Sequence, residues 1–421
     1  MSAERWVGPG GSNAASGTTV GDRWAEFTFA VKNLEPGDTL NVLDGDYVIR
    51  QEVDNYNGIA SVRRTGFVRL DGWTDAVTTI RAVNAGAATV RGNIHVKGSF
   101  ITIEGLNVYG DEGNIEPGFL IEDSHHVTIR NNQVAYCGGG GINTNHCDTL
   151  RIIGNRVHTN CLRNPQQHSG ISIYQPIAQV DPENRYWSIE IRRNICYDNV
   201  CWAPGQLGHT DGNGIIVDDY FYTQPWFLKD YHYEMISGAD VYSKRTLVEA
   251  NLCTYNGGAG IRSYLGSQIT IKNNTLVGNN RLFYYWEDGG YDVNGYYNAG
   301  NMLLENSFNC YILNNICQST YKEHAPFNSN YAASDQWGGD NLWENNLLTS
   351  KLGYQGLWNN FAIDNQAFYG DPAYVDEANY DYRSNRGFGL GKRWDGHVYE
   401  DLYGNQVEGG GRVDLGAIQL R

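Results

Sequence analysis

The sequence predicts an all-β protein built as a solenoid of short strands, and three observations support this prediction. The 421 residues include 51 glycines and only three methionines, a composition that suits turns and short strands better than helices. One short segment pattern recurs along the chain, and a second pattern recurs at a fixed distance from the first. A continuous repeat can occupy a chain of this length as a single domain.

Each copy of the first pattern begins with a small or turn-forming residue and then alternates an apolar side chain with a variable one. This alternation is typical of a strand that buries one face. The copies begin at Gly118, Gly141, Gly170, Gly214, Gly260 and Asn301. The variable positions should point outward and carry any chemistry.

The second pattern has Asn as its second residue and an apolar side chain as its fourth. These asparagines are Asn132, Asn155, Asn194, Asn251, Asn274, Asn315 and Asn346. From Asn132 to Asn155 is 23 residues, which we take as the basic coil, and longer gaps indicate insertions. Phe119 to Asn132 and Ile142 to Asn155 are both 13 residues, so the two patterns keep a fixed phase. We predict that the asparagines stack as an internal ladder.

The repeat resembles the right-handed parallel β-helix of the pectate lyase-like superfamily over roughly residues 90–350. The opening Trp6–Ser12 and the ending Gly410–Ile418 are also similar to the ends of such helices. The resemblance implies about ten coils and a capping helix near residues 25–34. The superfamily includes polysaccharide lyases, glycoside hydrolases, epimerases and phage or adhesin proteins, so the fold alone does not choose a function.

We predict a single β-helix domain over residues 1–421. Residues 1–90 should form an N-terminal cap and the first coils, and 91–350 the regular coils with long inserted loops. Residues 351–421 should form the C-terminal coils and cap. Of the eight cysteines, Cys196, Cys253 and Cys317 follow the ladder asparagines at the apolar position, so we expect buried thiols without disulfides or metal.

The formal charge of −16 argues against a nucleic-acid binder, which needs a basic face. No apolar run is long enough for a transmembrane helix, and the N-terminus has no signal-peptide core. We expect a monomer without membrane or nucleic-acid partners that acts on a polysaccharide. The expected location is secreted or periplasmic, with the signal peptide absent from this sequence; a cytoplasmic protein is the alternative.

Long insertions identify the expected binding side of the solenoid. Asp218 to Asn251 spans 33 residues, far more than the compact coils need, and such loops usually form the walls of a site. Aromatic side chains such as Tyr284 and Trp286 lie in these loops and can stack on sugars. Further candidate substrate-binding residues on or near the same face are Asn143, Asn145, Tyr174 and His168.

Aligned coils would place Asp218, Arg262 and Glu305 on successive rungs, about 4.8 Å apart. The family resemblance implies a lyase in which Arg262 removes the proton next to a uronate carboxyl and Asp211, Asp218 and Asp219 bind Ca²⁺. An arginine base would need a strongly lowered pKa. Tyr264 or His209 are alternative proton-transfer residues.

An inverting glycoside hydrolase is the second hypothesis. Asp218 and Glu305 would be about 9.6 Å apart at the backbone if rungs are ~4.8 Å apart. Side-chain tilt could bring them into the ~6.5–9.5 Å range of inverting enzymes. The third hypothesis is a non-catalytic glycan-binding module, which predicts aromatic and amide columns without a perturbed titratable group. A purely structural interpretation of the site residues also stays open, with Asp218 and Asp219 in a solvated turn and Arg262 paired with Asp218. We favour the lyase, with a uronate-containing glycan as substrate.

Overall fold

Three β-sheets wind around a common interior, and each coil passes through them in the same order. Their strand pairs are parallel except at one end of the first sheet, where Gln51–Tyr56 pairs antiparallel with Ile59–Leu70. We number the sheets 1, 2 and 3 in that order. The coil that begins at Ile142 crosses them at Ile142–Asn145, Asp148–Ile153 and Arg156–His158. The computed structural model describes residues 2–49, 51–56, 59–70, 76–181, 183–201, 211–222, 241–281, 301–319, 327–330, 341–350, 357–358, 368–369, 371–379, 381–386, 390–392, 400–407 and 412–419. The predicted all-β solenoid is therefore confirmed.

The strands of each sheet follow in chain order. Sheet 1 contains Gln51–Tyr56, Ile59–Leu70, Asn93–Gly98, Phe119–Glu122, Ile142–Asn145, Ile171–Tyr174, Ile215–Asp218, Ile261–Tyr264, Met302–Glu305, Phe327–Asn330 and Leu357–Trp358. Sheet 2 contains Glu4–Val7, Thr39–Val42, Thr78–Ala82, Ile101–Glu104, His125–Arg130, Asp148–Ile153, Ile189–Arg192, Thr246–Glu249, Ile269–Lys272, Tyr311–Leu313 and Leu342–Glu344. Sheet 3 contains Gly45–Val48, Ala88–Arg91, Asn107–Tyr109, Gln133–Ala135, Arg156–His158, Ile195–Tyr197, Leu252–Thr254, Thr275–Val277, Ile316–Ser319, Leu347–Ser350 and Phe368–Tyr369.

The ends of the chain carry smaller elements. One α-helix, Phe27–Lys32, buries Phe27, Ala30 and Val31 and matches the predicted capping helix. Near the C-terminus, two antiparallel pairs join Tyr374–Asp376 to Asp381–Ser384 and Gly391–Lys392 to Arg412–Val413, and Glu377–Asn379 is a short 3₁₀ helix. In the described part of the chain, no helix is long and apolar enough to cross a membrane.

The strand alternation places apolar side chains inside the solenoid. Phe119 and Ile121 are fully buried, whereas Leu120 and Glu122 between them are partly exposed. Stacking from coil to coil keeps this phase, since Phe119 pairs with Ile142 and Ile142 pairs with Ile171. A shift of one residue would turn the apolar set outward, so burial fixes the register.

The predicted asparagine ladder forms at the turn between sheets 2 and 3. Asn194 is typical, since its Oδ1 accepts from the backbone N of Asn155 at 2.9 Å and from Asn155 Nδ2 at 3.1 Å. Its Nδ2 donates to Ile152 O at 2.9 Å and to Asn251 Oδ1 at 3.1 Å. The ladder runs unbroken through Asn132, Asn155, Asn194, Asn251, Asn274, Asn315 and Asn346. Each amide satisfies turn backbone that is closed off from water.

A second asparagine ladder, which the sequence analysis missed, lies at the other end of sheet 3. It joins Asn160, Asn199, Asn256, Asn279 and Asn301 through amide hydrogen bonds of 2.8–3.0 Å. The first four members follow a ladder asparagine by five residues, as Asn199 follows Asn194. This spacing was visible in the sequence and could have identified the ladder.

All eight cysteines are buried free thiols, as predicted for the three at ladder positions. Cys196 pairs in register with Cys253, which pairs with Leu276, and Leu276 pairs with Cys317. The thiols therefore occupy the same interior column as an aliphatic side chain. Burial raises the pKa of the Cys317 thiol.

Buried Asp148 ties the ends of two inserted segments to the solenoid. Its carboxylate accepts hydrogen bonds from Lys244 Nζ at 2.7 Å, Tyr242 Oη at 2.7 Å and Ser188 Oγ at 2.5 Å. Ser188 ends the segment that follows Tyr174, and Tyr242 and Lys244 end the segment that follows Asp218. One carboxylate thus anchors loops from two neighbouring coils.

Candidate active site

The outward face of sheet 1 carries the two predicted columns of side chains. Strand pairing confirms one column as Leu120, Asn143, Ser172, Ile216, Arg262 and Leu303. It confirms the other as Glu122, Asn145, Tyr174, Asp218, Tyr264 and Glu305. Residues separated by dozens of positions in the sequence therefore become neighbours along this face.

Arg262 lies at the centre of the charged part of this face. Its Nη2 donates to Glu305 Oε2 at 2.6 Å, and its Nη1 lies 3.4 Å from Asp211 Oδ1. The guanidinium also lies over the ring of Tyr264, 5.2 Å from the ring centroid. Only 8% of Arg262 is exposed, so these contacts hold it in one orientation.

The sequence-based role of Arg262 as a base does not fit this environment. Burial alone would lower the pKa of Arg262, but the nearby carboxylates of Glu305 and Asp211 outweigh that effect and raise the pKa. A base needs the opposite shift, because only the neutral guanidine can take a proton. We therefore assign Arg262 a different role, as a fixed positive charge.

Asp218 is the carboxyl group whose environment most favours the protonated form. Burial, followed by the negative charges of Asp219 and Asp211, raises the pKa of Asp218 well above its ordinary value, although Arg262 opposes the shift. Asp218 Oδ1 is a buried atom with no hydrogen-bond partner in the described part of the chain. A protonated carboxyl with a free oxygen is suited to donate a proton to a bound ligand.

Glu305 lies two rungs from Asp218 in the same column, as predicted. Burial raises the pKa of Glu305, and the ion pair with Arg262 opposes this effect. Because its Oε2 is bonded to Arg262, we take Glu305 as the ionised partner of that guanidinium. The two carboxyls of the hydrolase hypothesis therefore differ in environment. Glu305 is paired with Arg262, whereas Asp218 has one oxygen, Oδ1, without a hydrogen-bond partner among the described residues.

Asp211 is held in place by Asn213, two residues further along the chain. Asn213 Nδ2 donates to Asp211 Oδ1 at 2.8 Å and to Ser169 Oγ at 3.0 Å. Asn213 Oδ1 accepts from the backbone N of Ala259 at 2.9 Å. This buried amide therefore links three coils just below the charged cluster and positions the carboxylate that contacts Arg262.

Asp219 lies in the turn that follows sheet 1. Its φ is +49°, and the same left-handed conformation occurs at Gln175 and Leu265, the equivalent positions of the neighbouring coils. Asp219 is fully buried, and its Oδ2 accepts from Gln175 Nε2 at 2.8 Å. The turn therefore directs this side chain to a structural hydrogen bond.

The predicted calcium ligands Asp211, Asp218 and Asp219 do not fit a shared metal site. Among the residues that the structure describes, no group of three or more His, Cys, Asp or Glu is arranged to hold a metal ion. Asp211 is bonded to Asn213 and lies beside Arg262, and Asp219 is bonded to Gln175. The reaction that we propose for these residues therefore uses no metal.

The predicted binding residues Asn143, Asn145 and His168 lie together on the same face. Asn143 Nδ2 lies 3.0 Å from His168 Nδ1, and Asn145 follows Asn143 by two residues on the strand. Burial lowers the pKa of His168 to about 4, so its imidazole is neutral at pH 7. Tyr174 lies between Asn145 and Asp218 in the second column. His209, Tyr284 and Trp286 lie outside the described residues.

Five buried polar atoms on this face have no hydrogen-bond partner in the described part of the chain. They are Asn143 Oδ1, Asn145 Oδ1, His168 Nε2, Asp218 Oδ1 and Arg262 Nε. Most buried polar atoms in proteins are hydrogen-bonded, so a set of five on one face indicates a site for a polar ligand. Both donors and acceptors are present, as a ligand with many hydroxyl groups requires.

Comparison with known proteins identifies the architecture. The family model described as right handed beta helix region matches residues 73–224. This chain is a right-handed parallel β-helix protein. No curated protein sequence matches the chain.

Two solved structures share the β-helix over most of their length. The pectate lyase Pel9A is 13% identical, with a TM-score of 0.58, and the alignment covers 100% of this chain and 97% of that one. A rhamnogalacturonan lyase is 14% identical, with a TM-score of 0.50, and 87% of each chain is covered. At these identities the likeness shows the fold.

Proposed function

We propose that this protein is a polysaccharide lyase that binds a uronate-containing glycan along sheet 1 and cleaves it by β-elimination. The set of five unpartnered buried polar atoms is the observation that supports a glycan most directly. The two similar structures are by name lyases of pectate and rhamnogalacturonan, which favours this reaction class. A polymeric substrate also favours a secreted or periplasmic location.

In the proposed binding mode, Arg262 holds the uronate carboxylate. Its Nη atoms contact Glu305 and Asp211, while Nε–H has no partner in the described protein. The free donor and the fixed positive charge can stabilise the negative charge that develops on the carboxyl group when the neighbouring carbon loses its proton. The column of sheet 1 would then align successive sugars with successive coils.

In the proposed reaction, Tyr264 accepts the proton from C5 and Asp218 protonates the leaving oxygen at C4. The C4–O bond breaks as a C4=C5 double bond forms, so no water enters the products. Tyr264 must be the phenolate to accept this proton, and it becomes the neutral phenol in the step. Tyr264 pairs with Asp218 on the neighbouring strand, and Arg262 lies over its ring, where the positive charge favours the phenolate before the reaction. Asp218 supplies the proton because its environment favours the carboxylic acid.

A panel of uronate-containing and neutral polysaccharides tests the proposal. We expect ultraviolet absorbance from an unsaturated uronate, and a rate of absorbance increase lower by a factor on the order of a hundred or more with Tyr264→Phe or Asp218→Asn. Asp123→Asn is the matched control, because Asp123 lies on an exposed turn of the same face and binds Lys97 and His146. Product without absorbance, or full activity in both site variants, would contradict the lyase.

An inverting glycoside hydrolase is the second candidate, and the unequal environments of Asp218 and Glu305 favour it. Asp218 would act as the acid and Glu305 as the base that activates water. New reducing ends without ultraviolet absorbance, lost in both Asp218→Asn and Glu305→Gln, would select this reaction. The acidic charge of the chain suits a neutral glycan in this case.

A further inference from the structure

A cavity of about 400 Å³ lies on the outward face of sheet 2, whereas the proposed active site lies on sheet 1. Its volume is within the range of small-molecule sites, roughly 300–1,000 Å³. Thr102 and Thr128 face it from adjacent strands of sheet 2, where they pair in register, and Arg151 follows on the next strand. All three point outward from the solenoid, so the cavity is independent of sheet 1.

The floor of the cavity is a column of residues at the starts of three successive strands of sheet 2. Phe100 directly precedes its strand, whereas His126 and Thr149 are the second residues of theirs, and all three have left-handed φ values of +58°, +55° and +49°. This conformation is unfavourable for a β-branched residue such as Thr149. The rings of Phe100 and His126 are stacked, with centroids 4.5 Å apart and planes 20° apart.

One buried polar atom of this floor lacks a hydrogen-bond partner in the described part of the chain. Thr149 is 3% exposed, and its Oγ1 has no such partner. The neighbouring His126 side chain is 7% exposed, and its Nε2 lies 3.5 Å from Asp181 Oδ1, with which it forms an ion pair when protonated. Buried hydroxyl groups are normally hydrogen-bonded, so Thr149 Oγ1 indicates a polar ligand.

The charges around the cavity favour a neutral ligand. Arg151 donates from Nη1 and Nη2 to backbone carbonyls of Leu150, Ser188 and Trp187, and its Nε lies 3.2 Å from Glu190. Arg185 at the rim is paired with Asp181 and Glu183. Both cations are therefore matched by carboxylates or carbonyls, which leaves no net positive field to hold an anion.

We propose that this cavity is a second saccharide-binding site, which takes a neutral mono- or disaccharide unit. The stacked Phe100 and His126 rings contribute apolar contact area for a sugar ring, and a hydroxyl group of the sugar would pair with Thr149 Oγ1. Thr102 and Thr128 line the open side. The site goes beyond the proposed reaction and does not depend on it, because no residue of the charged cluster on sheet 1 contributes.

The binding test uses Asp218→Asn protein, so that no substrate is consumed, and neutral tetrasaccharides of glucose, xylose, galactose and mannose as probes. Thr128→Arg would fill the cavity from the strand face. Thr89→Arg is its matched control, because Thr89 is a partly exposed outward residue of sheet 3. Binding is measured by calorimetry and by saturation-transfer NMR.

We expect at least one probe to bind the parent and Thr89→Arg proteins and to lose on the order of tenfold or more in affinity with Thr128→Arg. Thr149→Val removes only the unpartnered hydroxyl and should weaken the same probe several-fold. If circular dichroism shows that Thr128→Arg does not fold, the affinity of Thr149→Val for the same probe tests the site instead. Failure of every probe to bind, or equal affinity in all variants, would overturn the site. Lyase activity that survives Thr128→Arg in protein with Asp218 intact separates the site from the reaction on sheet 1.

Discussion

Arg262 Nη2 donates a 2.6 Å hydrogen bond to Glu305 Oε2 on the next coil of sheet 1. Both side chains are at least 90% buried, so neither charge has much solvent to stabilise it. The pair fixes the charge at the centre of the proposed active site. It also makes the protein sensitive to the loss of either partner, because a lone buried charge is costly.

Arg262→Ala should destabilise the protein by about 3–5 kcal/mol, because it leaves the buried carboxylates of Glu305 and Asp211 without a counter-ion. Urea unfolding at pH 7 measures the change. Arg156→Ala is the control, since Arg156 is exposed and bonds only the Tyr197 hydroxyl among described side chains, and its loss should be below about 1 kcal/mol. Equal losses for the two variants would contradict a structural ion pair.

Asp218→Asn should stabilise the protein at alkaline pH. The pKa of Asp218 is raised in the folded state, so its favourable contribution is present below the unfolded pKa and is lost as pH rises through the folded pKa. Each tenfold change in proton affinity corresponds to about 1.4 kcal/mol. The difference in Tm between Asp218→Asn and the parent should therefore grow from pH 4 to pH 8.

The same ionisation predicts the alkaline side of the activity profile. If Asp218 is the proton donor, activity should fall as pH rises through its pKa, because the ionised carboxylate cannot donate. Residual activity of Asp218→Asn should lack this decline. If the residual activity of Asp218→Asn still falls at alkaline pH, a group other than Asp218 causes the decline.

Asn194→Ala should cost about 3 kcal/mol or more of unfolding free energy. The change removes hydrogen bonds to Asn155 and Asn251 and leaves the backbone N of Asn155 and the carbonyl of Ile152 without their side-chain partner. Chemical denaturation measures this loss. Asn33→Ala, at an exposed position after the helix, should change the stability by less than about 1 kcal/mol.

Asp148→Asn should loosen two inserted segments at once. Burial raises the pKa of Asp148, but hydrogen bonds from Lys244, Ser188 and the Gln179 backbone outweigh it and lower the pKa overall. Its contribution is therefore present at neutral pH and is lost as pH falls through the folded pKa. We expect a loss of about 2–4 kcal/mol at pH 7.

Limited proteolysis would locate the effect of Asp148→Asn. Cleavage should accelerate both in the segment that ends at Ser188 and in the one that ends at Lys244. Asp46→Asn is the control, since Asp46 is exposed and forms a surface ion pair with Arg91. Acceleration in only one segment would contradict a shared anchor.

Much of the architecture could be predicted because the same strand alternation and asparagine spacing recur in successive coils. The alternation in strands such as Ile142–Asn145 fixes which side chains point outward, and the constant phase to Asn155 fixes the stacking of coils. Together they placed Asp218, Tyr264 and Glu305 in one column, as the strand pairing confirms.

The chemistry of individual side chains was harder to predict than their position. The proton affinity of Arg262 depends on Asp211, which approaches from the turn before sheet 1 and whose distance no strand pattern determines. Asp219 looked like a partner of Asp218, but a left-handed turn residue ends the alternation and directs Asp219 to Gln175. Short-range backbone geometry at turns therefore limits what periodicity can predict.

The two amide ladders enclose four short strands of sheet 3 between them, namely Arg156–His158, Ile195–Tyr197, Leu252–Thr254 and Thr275–Val277. A coil can therefore accept extra residues outside the segment between its two ladder asparagines, as it does after Tyr174 and Asp218. A single residue inserted between Asn194 and Asn199 would instead shift one asparagine relative to the other and interrupt both ladders. The unit from one asparagine to the next thus acts as a fixed spacer on which loops of different length and chemistry can be exchanged. A designer could graft new recognition loops onto this protein by keeping that spacer and replacing everything outside it.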